Sequence, residues 1–561
     1  MYLGTGGCWV TPSGESAPVS GGMDATGSLG SSPASLQTSE FVERLYRSTN
    51  SYADRLTAEE LAWIDVDLGL NDHVLGLARA HHQIIITGNP GDGKTHLIER
   101  LRPALEAAGA VVLTDANELS DDSILSRWRD CDRDRRAMVL AINEWPLFVL
   151  RRHPLAVDFE PLKAALRQVQ QAVSYGREPV KDVEGPVRVL DLSLRNVLAA
   201  PITLEVIARL TDDRFYASLS PTDPAVVNRE ALRHPQVRER IALMLAEVAR
   251  RGHHATMRQL VGFVAFLIAG GATAAVRLAS QGSHRYHYAQ LAFEGGVGPL
   301  FDAVREVFDP AAVTHPRRDT ELWQGTTKAE EWIDGLRPSA IQPMPADDRD
   351  NEYRALKRRF FFEHCDGRSL LDLLPSDERS FDRLVTEGNG AGGGVVRQLL
   401  LAINRFYEPD CPDSDRERLV LWQSHRFDVR APSTFLSLHE VHHGRFEVDP
   451  PKLAPWVDEW LPDEQRLVRT FALTATDEHG VAVASLLVDR ALYLTLTEAR
   501  WGLGRTSWSR SATRRITRFV DSVHNSVGPS KTEVVDVRIR NVEKNIEARF
   551  EIQRHPARYR L

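Results

Sequence analysis

The chain has only four cysteines in 561 residues: Cys8, Cys131, Cys365 and Cys411. No two stand close enough for a C-x-x-C metal or redox motif, and so few in so long a chain exclude a disulfide scaffold. They fit a reducing, cytoplasmic setting. Residues 1–38 have few large apolar side chains and no basic stretch followed by an apolar one, so they do not read as a secretory leader. Their Gly, Ser and Pro content predicts a disordered tail. Long hydrophobic runs are missing with one exception, the uncharged stretch from Gln259 to Val276. It is near the minimum for a spanning helix, but Gly270-Gly271 would end a helix after three turns. A core helix and no membrane are therefore expected. Excess positive charge is absent too. A net charge of −8 excludes a uniformly basic coat and leaves room for a local basic face.

What is present is concentrated in one stretch, Ile84-Ile85-Ile86-Thr87-Gly88-Asn89-Pro90-Gly91-Asp92-Gly93-Lys94-Thr95. This is G-x-x-x-x-G-K-T directly after an apolar run, the P-loop signature in its proper context. Three isoleucines in a row suit a central parallel strand covered on both faces. Gly88, Gly91 and Gly93 let the backbone turn tightly and offer its N–H groups to phosphate oxygens. A helix starting near Lys94 adds its positive N-terminal end. Lys94 would reach the β- and γ-phosphates of ATP, and the Thr95 hydroxyl would bind Mg²⁺. The cofactor-binding set is thus Gly88, Asn89, Pro90, Gly91, Asp92, Gly93, Lys94, Thr95 and His96.

Around this stretch, Asn71 is a candidate cap for a helix through Ala80 that leads into the P-loop strand. Pro103 should kink or end the helix after Lys94. A second buried strand is expected at Ala110–Thr114. Ala137 to Ile142 reads as a third, ending in Asn143-Glu144 roughly fifty positions after Lys94. Ligands of such sheets sit beyond the carboxyl ends of parallel strands, so Glu144 would share the crevice with Lys94 and orient the attacking water. Asn143 stands where an acidic residue usually pairs with that carboxylate, and an amide adds no negative charge to the metal's water shell. A fourth strand, Val187–Leu192, exits through Ser193-Leu194-Arg195-Asn196. Residues 203–281 read as helices, with Thr256 as an N-cap and Arg258 in the first turn, where the helix dipole disfavours a cation.

The remainder is less informative. Residues 282–420 read as mostly helical, and the glycines of 391–394 as a loop before a helix at Val395–Asn404. His439-Glu440-Val441-His442-His443 spells H-E-x-x-H, but Phe435–Val441 reads as a strand, and metal binding by that motif needs a helix. A hairpin without zinc is expected there. From Arg500 onward there are 14 Lys and Arg against 6 acids. Arg500, Arg505, Arg510, Arg514, Arg515 and Arg518, interleaved with Trp501 and Trp508, suit phosphate contacts and base stacking.

The P-loop, the Asn143-Glu144 strand end, the Ser193–Asn196 exit and the Thr256-x-Arg258 helix start come in the order of AAA+ ATPases, which the chain resembles. More narrowly, Gly88 to Leu97 and Ile142-Asn143-Glu144 resemble the ATPase component of bacterial DNA-phosphorothioation-dependent restriction and related phage-defence systems. Weaker echoes are Asp309-Pro310-Ala311, Thr314-His315-Pro316 and Leu421 to Arg426. The resemblance implies an α/β P-loop NTPase core with a parallel sheet at 39–202 and a helical lid at 203–281. A helical middle domain at 282–420 and a mixed, β-rich C-terminal domain at 421–561 would follow. It implies a polar γ-phosphate sensor among Ser193, Arg195 and Asn196, and a second in Arg258. It also implies homo-oligomers or defence-complex subunits as partners, DNA as the target through Arg500–Arg518, and an arginine finger for which Arg209 and Arg214 are candidates. The residues themselves imply nucleotide binding and hydrolysis through Lys94 and Glu144 with Asn143 beside it; with the sensors Arg195 and Arg258 that the resemblance implies, the expected catalytic set is Glu144, Lys94, Asn143, Arg195 and Arg258. A non-hydrolysing scaffold, in which Asn143 marks lost turnover, is the competing reading. A small-molecule kinase is disfavoured, since most of the chain follows the nucleotide core.

Overall fold

A computed structural model describes residues 40–47, 56–67, 69–114, 116, 119–176, 185–280, 284–333, 346–373, 377–391, 394–422, 434–502, 509–527, 534–541, 544 and 546–553. The 1–38 tail, Arg505, Trp508 and Gln423–Arg426 lie outside these residues.

Four parallel strands form one sheet: β1 (Gln83–Thr87), β2 (Val111–Leu113), β3 (Met138–Ala141) and β4 (Val187–Asp191), in the order β2-β3-β1-β4. The isoleucine run explains itself here. Ile84 and Ile86 pack on one face with Leu97, Ile98 and Leu101, while Ile85 packs on the other with Trp128 and Leu140. Both faces are covered, as a parallel sheet requires. The covering helices are α1 (Lys94–Ala107) on the first face, and α2 (Asp121–Arg133) and α3 (Glu160–Gln171) on the second. Because the strands are parallel and in register, with Ile86 beside Ala141, Thr87 beside Asp191 and Leu113 beside Leu140, four exits open onto one edge.

Pro103 neither ends nor replaces α1, which runs through it to Ala107. Its missing N–H would have met the carbonyl of Glu99, which lies on the exposed side of the helix, while Leu101 and Leu105 are buried. Asn71 is not a cap either. The helix begins at Leu70 after Gly69, and the Asn71 side chain instead donates to Asp65 at 3.5 Å.

The helical body holds α4 (Pro235–Arg250) and α5 (Met257–Ala269). Thr256 caps α5 in a reciprocal box with Gln259, and Gly270 ends it at φ 61°. Gln259–Val276 is therefore a buried helix and its exit, and no helix among the described residues is long and apolar enough to cross a membrane. One core joins Phe41 and Leu45 to residues from Val197 through Leu370, so packing crosses the expected boundary at 281 without a break.

The C-terminal body packs α6 (Val395–Tyr407) and α7 (Arg510–Val527) against two antiparallel sheets. Their strands are β5 (Arg418–Trp422), β6 (Thr434–His442), β7 (Phe446–Asp449), β8 (Thr470–Thr476), β9 (Ala482–Asp489), β10 (Val534–Asn541) and β11 (Ile546–Gln553). The orders are β9-β8-β7 and β11-β10-β6-β5. Trp456, Val457, Trp460 and Leu461 leave this body and pack under the parallel sheet with Ile84 and Leu190.

Candidate functional site: a glycine loop at the edge of the parallel sheet

The loop from Gly88 to Gly93 joins β1 to α1, and its Pro90–Gly93 part lines a cavity of about 270 Å³ that Gly88 and Asn89 do not reach. Gly88, Gly91 and Gly93 have φ of 137°, 96° and 95°. At Gly91 the demand is also spatial, since an added Cβ would stand 3.1 Å from Thr256 Oγ1. The lid helix therefore rests on the loop itself, and the Arg258 N–H donates to the Gly91 carbonyl at 3.4 Å. Gly91→Ala should cost about 1–2 kcal/mol from backbone conformation alone, with further loss as Thr256 is displaced. A melting temperature unchanged from the wild type would contradict this.

Lys94 and Thr95 open α1 and line the cavity. Lys94 Nζ donates to the carbonyls of Gly88 and Asn89 at 3.0 and 2.9 Å. Asp92 is buried, and its Oδ2 accepts from the Asn89 N–H at 2.6 Å. Asp92 thus braces the loop from within, and its other oxygen lies 3.8 Å from His254 Nε2. His96 reaches Asp65 at 3.1 Å, and Arg100 approaches the same carboxylate at 3.5 Å. Burial would raise the Asp65 carboxyl, but these partners, His96 foremost, hold it below the ordinary range.

The walls divide by chemistry. Ile64, Val66, Leu70, Met257 and Val261 supply an apolar side suited to a base ring, while Thr114, Asn143, Arg195 and Arg258 supply polar groups. Asn143 lines the cavity at the exit of β3. Glu144 does not: it is exposed and is the first residue of the helix Glu144–Leu150. The expected shared crevice therefore holds for Asn143, whereas Glu144, one residue further on, opens a helix and is not part of the cavity wall.

Of the expected exit residues Ser193 to Asn196, Arg195 alone lines the cavity, beside Leu192. Ser193 bonds back to Asp191, its N–H at 3.0 Å and its hydroxyl at 2.7 Å, and Asn196 accepts from the Leu198 N–H. Asp191 is pushed up by burial despite those bonds. Arg195 is 9% exposed and lowered by burial to about 10, so it stays charged at neutral pH. Its Nε donates to Gln465 Oε1 at 3.3 Å, and backbone bonds Asn196–Gln465 and Leu467–Leu194 fasten the same exit to the C-terminal body. Gln465→Ala would leave this buried guanidinium short of an acceptor. The expected loss is about 1.5–3 kcal/mol of stability, read by urea unfolding; a loss below a few tenths would count against it.

Sequence reasoning missed Asp65, Thr114, the apolar wall, His254 and Gln465. Thr114 had a signal, since it directly follows a strand that ends at the same edge. The others come from segments whose approach no local pattern announces. Arg209 and Arg214 are exposed and paired within the chain to Glu205 and Asp212. The H-E-x-x-H stretch is a strand as expected. Glu417, His442 and His443 bring ligand-type atoms together nearby, but Arg397 already donates to Glu417 at 2.8 Å and lies 3.2 Å from His443 Nε2.

Comparisons with protein-family models, with curated proteins and with solved structures returned no match.

Proposed function

We propose that the chain is an ATP–Mg²⁺-binding P-loop protein that acts as a switch or motor in a DNA-directed defence assembly. The observation that supports it most is the Gly88–Thr95 loop, whose glycines turn with positive φ at the mouth of a cavity where four parallel strands end. In this reading the loop N–H groups and the α1 N-terminus hold phosphates. Lys94 exchanges its carbonyl partners for phosphate oxygens, and Thr95 is the residue that would hold Mg²⁺. Bound to the β- and γ-phosphates, that ion neutralises developing charge. Arg195 and Arg258 face the cavity as cations for the terminal phosphate.

DNA enters the proposal through α7. Ala512, Ile516, Phe519 and Val523 face the core, while Arg510, Arg514 and Arg518 stand exposed at successive four-residue steps. Trp501 is 70% exposed nearby in sequence, with the Arg500 guanidinium 5.0 Å from its ring centre. Exposed cations beside an open indole suit phosphate contact and stacking. Arg515 is committed to Asp489 at 2.5 Å.

The competing reading, a nucleotide-dependent scaffold without turnover, draws on Asn143 lining the cavity while Glu144 stays outside. Phosphate release by purified protein, with and without double-stranded DNA, separates the two. The motor reading expects turnover that DNA accelerates and that Glu144→Gln abolishes while ATP still binds. Tight binding with no turnover under either condition favours the scaffold.

A further inference from the structure

The C-terminal four-stranded sheet has two edges of different character. At one, β5 is five residues long and its pairing with β6 slips near Trp422. At the other, β11 is eight residues long and pairs with β10 without interruption, from Val534 beside Gln553 to Asn541 beside Ile546. Folded proteins blunt exposed edges with short strands, bulges, proline or charged side chains, lysine above all. β11, Ile-Glu-Ala-Arg-Phe-Glu-Ile-Gln, is long, unbulged and without proline or lysine, and its charges, Glu547, Arg549 and Glu551, are of both signs and alternate along one face. Its outer face carries Ile546, Phe550 and Ile552, which are 56%, 52% and 49% exposed, and Ile539 of β10 continues the same face.

The sequence of β11 is complementary to itself in one extended register. Antiparallel partners share a face. With Phe550 opposite its own copy, Ala548 meets Ile552, and Arg549 meets Glu551 twice. Moving the axis to Arg549 sets Arg549 against itself and Glu547 against Glu551. Moving it to Glu551 sets that carboxylate against itself. An axis at Ala548 matches charges as well but overlaps only Ile546 to Phe550. Arg549 is about half exposed and holds Glu547 at 2.9 Å, and Glu551 is exposed, so both can meet a partner strand.

We propose that β11 pairs antiparallel with β11 of a second copy of this chain, with Phe550 on the two-fold axis, joining the two sheets into one. The pairing does not depend on the nucleotide reading. Main-chain hydrogen bonds supply attraction along the edge, and the Arg549–Glu551 pairs select the register.

Sedimentation of the full chain from about 1 to 100 µM, a range spanning ordinary dimer affinities, tests it. The wild type should be dimeric. Arg549→Glu and Glu551→Arg should each shift the protein to monomer with unchanged circular dichroism, and the double variant R549E/E551R should restore the dimer. Phe550→Cys, with Cys8 and Cys365 replaced by serine, should give a disulfide-linked dimer under mild oxidation, while the same background with Phe550 intact should not. This readout stands even if a charge reversal unfolds the sheet. A wild type that is monomeric throughout, an oligomer indifferent to both reversals, or a cysteine variant that fails to cross-link would overturn the proposal.

Discussion

Lys94→Ala is expected to reduce ATP affinity by about two orders of magnitude or more and to remove turnover with it. Lys94 Nζ makes two hydrogen bonds to loop carbonyls, at Gly88 and Asn89, and so stands at the loop mouth ready to exchange them for phosphate oxygens. A charge-assisted bond contributes about 1.5–3 kcal/mol, and two such bonds to phosphate account for the expected factor at about 1.4 kcal/mol per decade. The fold should survive, since alanine is a good helix former at the first position of α1. Equilibrium titration with a fluorescent ATP analogue reads the affinity, and thermal melting without ligand reads the fold. An affinity within threefold of the wild type would remove Lys94 from the phosphate site.

The largest effect on stability is expected at Arg277, far from the loop. Its guanidinium is 1% exposed and donates to both oxygens of Asp223, at 2.7 and 3.0 Å, and to Glu43 at 2.7 Å. Burial would lower the guanidinium, but the two carboxylates raise it above its ordinary value. Asp223 also accepts from the Ala225 N–H at the start of the helix Pro224–Arg233, and Glu43 belongs to the helix Phe41–Arg47. One cation thus ties the first described helix to the lid. Arg277→Ala leaves two buried carboxylates without their counter-ion, a change of about 3–5 kcal/mol. Arg277→Lys should recover only part of it, because an ammonium cannot form the two-pronged bond to Asp223. Urea unfolding measures both variants. A loss under about 1 kcal/mol for Arg277→Ala, the size of a surface pair, would contradict this account.

The sequence made legible those parts of the fold whose cause is local. Three isoleucines followed by spaced glycines mark β1 and its loop, and Thr256 with Gly270 marks both ends of α5. The β8–β9 hairpin, with its Asp477–Gly480 turn, lies inside the span expected to be β-rich. The rest depends on approaches across long stretches of chain. Gln465 meets Arg195 only because Trp456 to Leu461 pack beneath the sheet, and Asp65 meets His96 because an N-terminal segment folds over α1. Glu144 shows the limit of strand-end reasoning. The exit of β3 is legible to within one residue, since the strand ends at Ala141 rather than Ile142, but which side chain meets the cavity depends on the helix that follows, and there Asn143 lines the cavity while Glu144 does not.

The measurement that tests the central claim most directly is calorimetric titration of the wild-type chain with ATP in the presence of Mg²⁺, repeated with Lys94→Ala. The account predicts saturable binding at one site per chain that the variant loses, with a matching rise in wild-type melting temperature as ligand exceeds Kd. Absence of saturable heat at millimolar ATP–Mg²⁺, or equal binding by Lys94→Ala, would contradict it.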